Sequence, residues 1–199
     1  MKIFSSIPVA SLALALVVSG LPVAAQEAKT ESGKSEQDWS KMKKEAKRAE
    51  IDAVAGAALD KLLKENPKAK ELYDKAYGWA AFDNLKIAVG ISGGGGKGVA
   101  VAKKSGKRTY MSMASGGVGL SLGEQKYQVV FLFVDSHSFN RFVKNGWEAT
   151  AAAGAAAGKG SGSQTGFVNG MAAYQIDAKG LMASADISGT KYTVDKELK

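Results

Sequence analysis

The chain has no cysteine, one histidine and three prolines in 199 residues. Without cysteine there is no disulfide, no thiolate metal site, no cysteine nucleophile and no lipid-bearing N-terminal cysteine. A lone histidine, His137, rules out a multi-histidine metal site and leaves little room for a histidine-based triad. Acidic residues are missing from one long interval: none lies between Asp83 and Glu124, which encloses Lys86, Lys97, Lys103, Lys104, Lys107 and Arg108. What is abundant is glycine, 24 residues, and basic charge, 27 Lys and Arg against 19 Asp and Glu. Hydrophobic content of 45% and charged content of 23% are those of a folded globular chain, long enough for one ordinary domain with a real core. The balance points away from most enzymes and towards a basic, glycine-rich binding or structural domain.

The N-terminus reads as an export signal. Met1 and Lys2 give a short positive start, residues 7–18 are apolar apart from Pro8 and Ser11, and Val23, Ala24 and Ala25 supply the small residues that cleavage requires. The expectation is a signal peptide over 1–25 and a protein that is periplasmic or secreted. The apolar run is too short for a transmembrane helix.

Residues 26–37 are polar without a periodic apolar face and are expected to form a disordered leader. A single domain is expected over 38–199, with a helical region at 38–77. Asp38 is a candidate cap for a helix over 39–65, which contains no proline and is rich in Ala, Lys and Glu. At about 100° per residue, Trp39, Met42, Ala46, Ala49 and Ala53 share a narrow stripe, with Lys41, Lys44 and Arg48 opposite. Ile51, Ala55, Ala58 and Leu62 make a second stripe, so the two halves of the helix suit different surfaces. Asn66 and Pro67 interrupt the run and open a second helix carrying Leu72 and Ala76 inward.

From Ala80 the period falls to two. Ile87, Val89 and Ile91 alternate with polar or small residues, residues 93–96 are four glycines that read as a turn, and residues 103–107 read as a hairpin loop. Residues 127–134 are almost continuously apolar and predict a central strand covered on both faces. Asp135 caps a short helix with Phe139, Phe142 and Val143, Ala172, Tyr174 and Ile176 form a further strand, and a final hairpin is expected over 181–194. The fold class is α+β: N-terminal helices, then an antiparallel sheet or sandwich of many short strands with one short inserted helix.

Catalytic patterns are weak. Residues 93–98 match G-x-G-x-x-G, but a dinucleotide site needs a helix next, and Val99 to Ala102 reads as strand. No phosphate-cradling loop is present, since Gly98 follows Lys97 where Ser or Thr is required. His137 is expected to be structural. No metal, cofactor or catalytic residue is assigned, and the chain is read as a non-enzyme.

One pattern extends over roughly residues 70–195. Gly78-Trp79-Ala80-Ala81-Phe82 is followed by the glycine-rich segment at 91–99 and by Ser115-Gly116-Gly117-Val118-Gly119-Leu120 with Gly123 and Gln125. An apolar strand ending in Asp135 comes next, then Phe142, Gly146-Trp147-Glu148, an alanine and glycine stretch, and Lys179-Gly180-Leu181. This pattern resembles the SYLF domain, a lipid-binding family also labelled actin-binding from its yeast members. The resemblance implies binding of acidic phospholipid headgroups, with neither catalysis nor a cofactor. In some members an N-terminal amphipathic helix acts with basic surface residues; the counterparts here are Trp39 and Met42 with Lys41, Lys44 and Arg48, and the cluster Lys97, Lys103, Lys104, Lys107 and Arg108. For an exported chain the fitting partner is an anionic phospholipid membrane surface, with actin unlikely and nucleic acid disfavoured despite the charge. The alternative is a structural or envelope-stress protein whose basic face meets another polyanion or a protein partner.

Overall fold

The computed structural model describes residues 24–148, 166–177, 180–181 and 189–199. The signal segment at 1–23, the alanine and glycine stretch at 149–165, Lys179 and residues 182–188 of the expected last hairpin lie outside the described residues. The chain divides into two units, Met1–Lys41 and Met42–Lys199.

Helix α1 is Ala24–Glu65. Within the first unit every described residue is helical, and Trp39 and Lys41 are exposed. Residues 26–37, expected as a disordered leader, are helix, and Asp38 is inside α1 rather than capping it. No proline interrupts this segment, and its Ala, Glu, Lys and Gln residues favour helix against the cost of Thr30, Ser32, Gly33 and Ser35.

The second unit contains the rest of α1 and the sheet. Ile51, Ala55, Ala58, Leu59 and Leu62 are buried in one core cluster with Ala69 and Leu72 of helix α2, Pro67–Lys75. Asn66 caps α2, its side chain accepting from the Ala69 N–H at 2.9 Å.

Two long strands follow, β1 (Gly78–Ala102) and β2 (Arg108–Phe133), joined by a tight connection at 103–107. They pair antiparallel from Gly78 opposite Phe133 to Val101 opposite Arg108, with one register shift between Val89 and Ile91. The turn expected at residues 93–96 is not there: Gly93 to Gly96 continue the strand and pair with Gly116 to Met113. Glycine adopts extended backbone as readily as a turn, and on one side of this strand it is required. A Cβ at Gly94 would sit 2.8 Å from the Leu85 carbonyl oxygen, one at Gly96 would overlap the Asp83 carbonyl and Asn84 Oδ1, and one at Gly98 would overlap the Ala81 carbonyl and the Phe82 ring. The second half of β1 thus curls back against its own first half at backbone distance.

Strand β2 is the spine of the sheet. Besides β1 it pairs with β4 (Met171–Asp177) along Tyr127–Phe133 and with β6 (Thr190–Val194) along Met111–Ser115. Strand β3 (Trp147–Glu148) borders β6 and β5 (Gly180–Leu181) borders β4, all antiparallel. Helix α3 (Ser136–Asn145) is the inserted helix, capped by Asp135, whose carboxylate accepts from the Ser138 N–H at 2.7 Å. That hydrogen bond, the largest influence, holds the Asp135 carboxyl below its ordinary value.

The core lies on both faces of the sheet. Val130 and Leu132 face the α1 and α2 cluster, while Val129, Phe131 and Phe133 face a cluster with Phe82, Phe139, Phe142 and Tyr192. Phe82 and Tyr192 meet edge-on at 4.6 Å between ring centres. The central strand is covered on both sides, as its unbroken apolar run requires, and the architecture is α+β.

Candidate functional site

The basic residues picked from the sequence separate into tethered and exposed groups. Lys97 Nζ lies 2.5 Å from Asp195 Oδ2 and also donates to Ser112 Oγ at 3.1 Å. Asp195 itself is 4% exposed and further accepts from the backbone N–H groups of Glu197 and Leu198. Burial pushes its carboxyl up, but donation from Lys97, Ser112 and Glu197 outweighs this and leaves it below the usual carboxylate value. Lys103 caps the C-terminal end of α2: its Nζ donates to the Tyr73 carbonyl and sits 4.3 Å from the centre of the Tyr73 ring.

Arg48 is held on the side of α1 that faces the domain. Its guanidinium donates twice to the Leu198 carbonyl, at 3.1 and 2.9 Å, and lies 5.6 Å from the centre of the Tyr110 ring. Arg108 Nε is 3.4 Å from Asp52 Oδ2, which also accepts from the Tyr110 hydroxyl at 3.0 Å. Burial, then that hydrogen bond, raise the Tyr110 pKa. Lys104 and Lys107 are exposed at the β1–β2 connection and make no ion pair among the described residues. The acid-free interval of sequence is therefore not acid-free in space, because Asp52 and Asp195 come to it from distant elements.

Along α1, Lys41 and Lys44 are exposed. In the first unit Trp39 is 59% exposed; in the second, Met42 is 59% exposed, and Ala46, Ala49 and Ala53 are also at the surface. The sequence stripe thus faces solvent, while Arg48 and the Ile51 to Leu62 stripe dock.

Sequence reasoning missed a cleft of about 320 Å³ between α1 and β1. Ile51, Val54 and Ala55 line it from the helix, and Ala81, Leu85 and Gly95 from the strand. Lys47, Lys97 and Lys126 line it together with Glu50 and Asp83. Asn84 of β1 also lines it; this residue is 2% exposed, and neither polar atom of its amide has a hydrogen-bond partner among the described residues. The spacing of Ile51, Ala55 and Ala58 marked the helix face, but no local pattern joins it to Gly95. Among the described residues no helix is long and apolar enough to cross a membrane, and no group of His, Asp and Glu could hold a metal ion.

No family model matches the chain. It is similar to a protein of Aeromonas veronii named beta cell expansion factor A, being 48% identical over 159 residues that make up 79% of this chain and 60% of that protein. The chain thus spans about three fifths of that relative's length.

Proposed function

We propose that the chain is a non-enzymatic module that binds anionic phospholipid surfaces from the periplasm or outside the cell. The observation that carries this reading is Trp39, a large amphipathic side chain left 59% exposed on a lysine-bearing helix. An indole set at the headgroup level contributes apolar burial, and each nearby Lys contributes about 1 kcal/mol at an anionic surface, weakened by salt. Lys41 is exposed in the same unit as Trp39; in the second unit, taken by itself, Lys44, Lys104 and Lys107 are exposed and suited to an anionic surface. Lys97, Lys103, Arg48 and Arg108 hold intramolecular partners and serve the fold first. The SYLF-like order of glycines and aromatics supports the same reading.

The test is flotation with neutral and with anionic vesicles, read with Trp39 fluorescence in a protein carrying Trp79→Phe and Trp147→Phe. Flotation with anionic vesicles alone, weakened by salt, and a blue shift of Trp39 on binding are expected. Equal behaviour with both vesicle types, or emission that does not respond to lipid, removes the reading.

A further inference from the structure

We propose that the cleft between α1 and β1 binds a small amphiphilic cation, an aliphatic chain carrying one primary ammonium group. The walls supply the apolar part. Val54 on the helix and Leu85 on the strand are half-buried branched side chains that line the cleft, and neither belongs to either core cluster. With Ile51 and Ala55 they present apolar surface from two elements to the same space. An aliphatic chain laid there removes both walls from water at once. The volume, about 320 Å³, falls at the small end of the range of roughly 300–1,000 Å³ typical of small-molecule sites.

The charge left over in the cleft is negative. Lys97 Nζ lies 2.5 Å from Asp195 Oδ2, Lys47 pairs with Glu50 at 2.8 Å and Lys126 with Glu124 at 3.6 Å, so each lysine of the lining has a carboxylate of its own. Asp83 is the remaining ionic residue of the lining; it is exposed and takes part in none of these pairs. It stands two residues from Ala81 and two from Leu85, and a strand turns residues so spaced to one face. Ala81 packs in the cluster with α1, which places Asp83 on the side of the strand that faces the helix. A cation bound there pairs with a carboxylate beside an apolar wall, where the attraction is screened less than on open surface. An anion would have to take a lysine from its carboxylate and would then face Asp83.

The lining also selects the kind of cation. Among the described residues no aromatic ring lines the cleft, so a quaternary ammonium finds no ring face to hold it. A primary ammonium has N–H groups and donates them to the Asp83 carboxylate in a charge-assisted hydrogen bond. A second positive charge on the ligand would have no carboxylate left to meet and would face the lysines. A short amine without a chain would leave the apolar walls wet.

The inference goes beyond the surface reading: that ligand is anionic, and Lys41, Lys44, Lys104 and Lys107 do not line the cleft. Octylammonium, octanol and octanoate, each below the concentration at which it aggregates, are titrated calorimetrically into the full chain at neutral pH. Saturable one-to-one binding of octylammonium is expected, tighter than either of the others by about tenfold or more. Asp83→Asn should weaken octylammonium binding by about tenfold or more, and Val54→Trp, which fills the cleft from the helix wall, should do the same, with folding verified by thermal melting. Asp60→Asn removes an exposed carboxylate of α1 outside the cleft and should leave the affinity unchanged. If Val54→Trp fails to fold, the two exposed aspartates decide. Absence of saturable binding, octanoate or octanol binding as tightly as octylammonium, unchanged affinity in Asp83→Asn, or an equal loss in Asp60→Asn overturns the proposal. Vesicle flotation of the unmodified protein runs alongside. Flotation without an octylammonium isotherm overturns the cleft alone; an isotherm without flotation overturns the surface reading alone.

Discussion

Gly94, Gly96 and Gly98 share a strand with Gly93 and Gly95, yet the two sets stand in different surroundings. The first set faces the inside of the curl, where carbonyls of Ala81, Asp83 and Leu85 occupy the space a Cβ would need. The second set faces outward, with nothing within 4 Å of a Cβ at Gly93 and only the Met113 carbonyl near one at Gly95. A run of identical residues therefore contains two physical causes. One face needs glycine so that the strand can fold back on itself; the other keeps a surface open. The odd-numbered face does not stay open along the strand, since Val99 and Val101 pass into the core cluster with α1.

The sharpest way to break this comparison is Gly98→Val. The new side chain would collide with the Ala81 carbonyl, which cannot move without disturbing the pairing of Ala81 with Val130. A loss of about 3 kcal/mol or more is expected, read as a lowered denaturation midpoint. A protein of unchanged stability would mean that the curl is looser than backbone contact.

The legibility of the chain follows the same division. The Ile51 to Leu62 stripe, the break at Asn66 and Pro67, the Asp135 cap and the central apolar strand were all readable, because each is set by residues within a few positions of one another. The solvent-facing stripe through Met42 was readable for the same reason: its face was too thin to pack. The glycine run was misread as a turn because its cause is the contact of residues 94–98 with residues 81–86 of the same strand, which no local pattern encodes. The basic interval was misjudged in a related way. Its neutralising carboxylates are on α1 and beyond β6, remote in sequence and adjacent only after folding.

Lys97 tests the outward face where it stops being open. It stands between Gly96 and Gly98 and ties the strand to Asp195. Asp195→Asn should cost about 2 kcal/mol near neutrality, since a charge-assisted hydrogen-bond set is weakened. The pH dependence has a defined sign. The folded carboxyl is held below its ordinary value, so its contribution is complete above the unfolded pKa of about 3.9 and is lost as pH falls through the folded value. Denaturation midpoints measured from neutral to acid pH should fall less steeply in Asp195→Asn than in the unmodified chain. Parallel profiles would show that Asp195 carries no such linkage.

Asn84 tests the inner face from the opposite direction. It lies against Gly96 with its amide unpaired among the described residues. Replacing a buried, unsatisfied amide by an apolar group of similar shape removes a desolvation penalty, so Asn84→Leu should stabilise the protein by about 1 kcal/mol. A destabilised but folded variant would mean that the amide has a partner in the native protein.

The smallest effect belongs to Gly95→Val. The backbone at 95 is extended and pairs with Ala114, so a β-branched residue fits the strand without strain. The nearest atom to its Cβ, at 3.8 Å, is at ordinary contact distance. Valine also removes freedom that glycine has in the unfolded chain, which favours folding by up to about 0.5 kcal/mol. The expected result is a melting curve at or slightly above that of the unmodified protein. Set beside Gly98→Val, three positions along the same strand, the pair isolates the face from the residue type. If Gly95→Val instead lost stability on the scale of Gly98→Val, the outward glycines would be as sterically bound as the inward ones, and the open wall of the cleft would lose its physical basis.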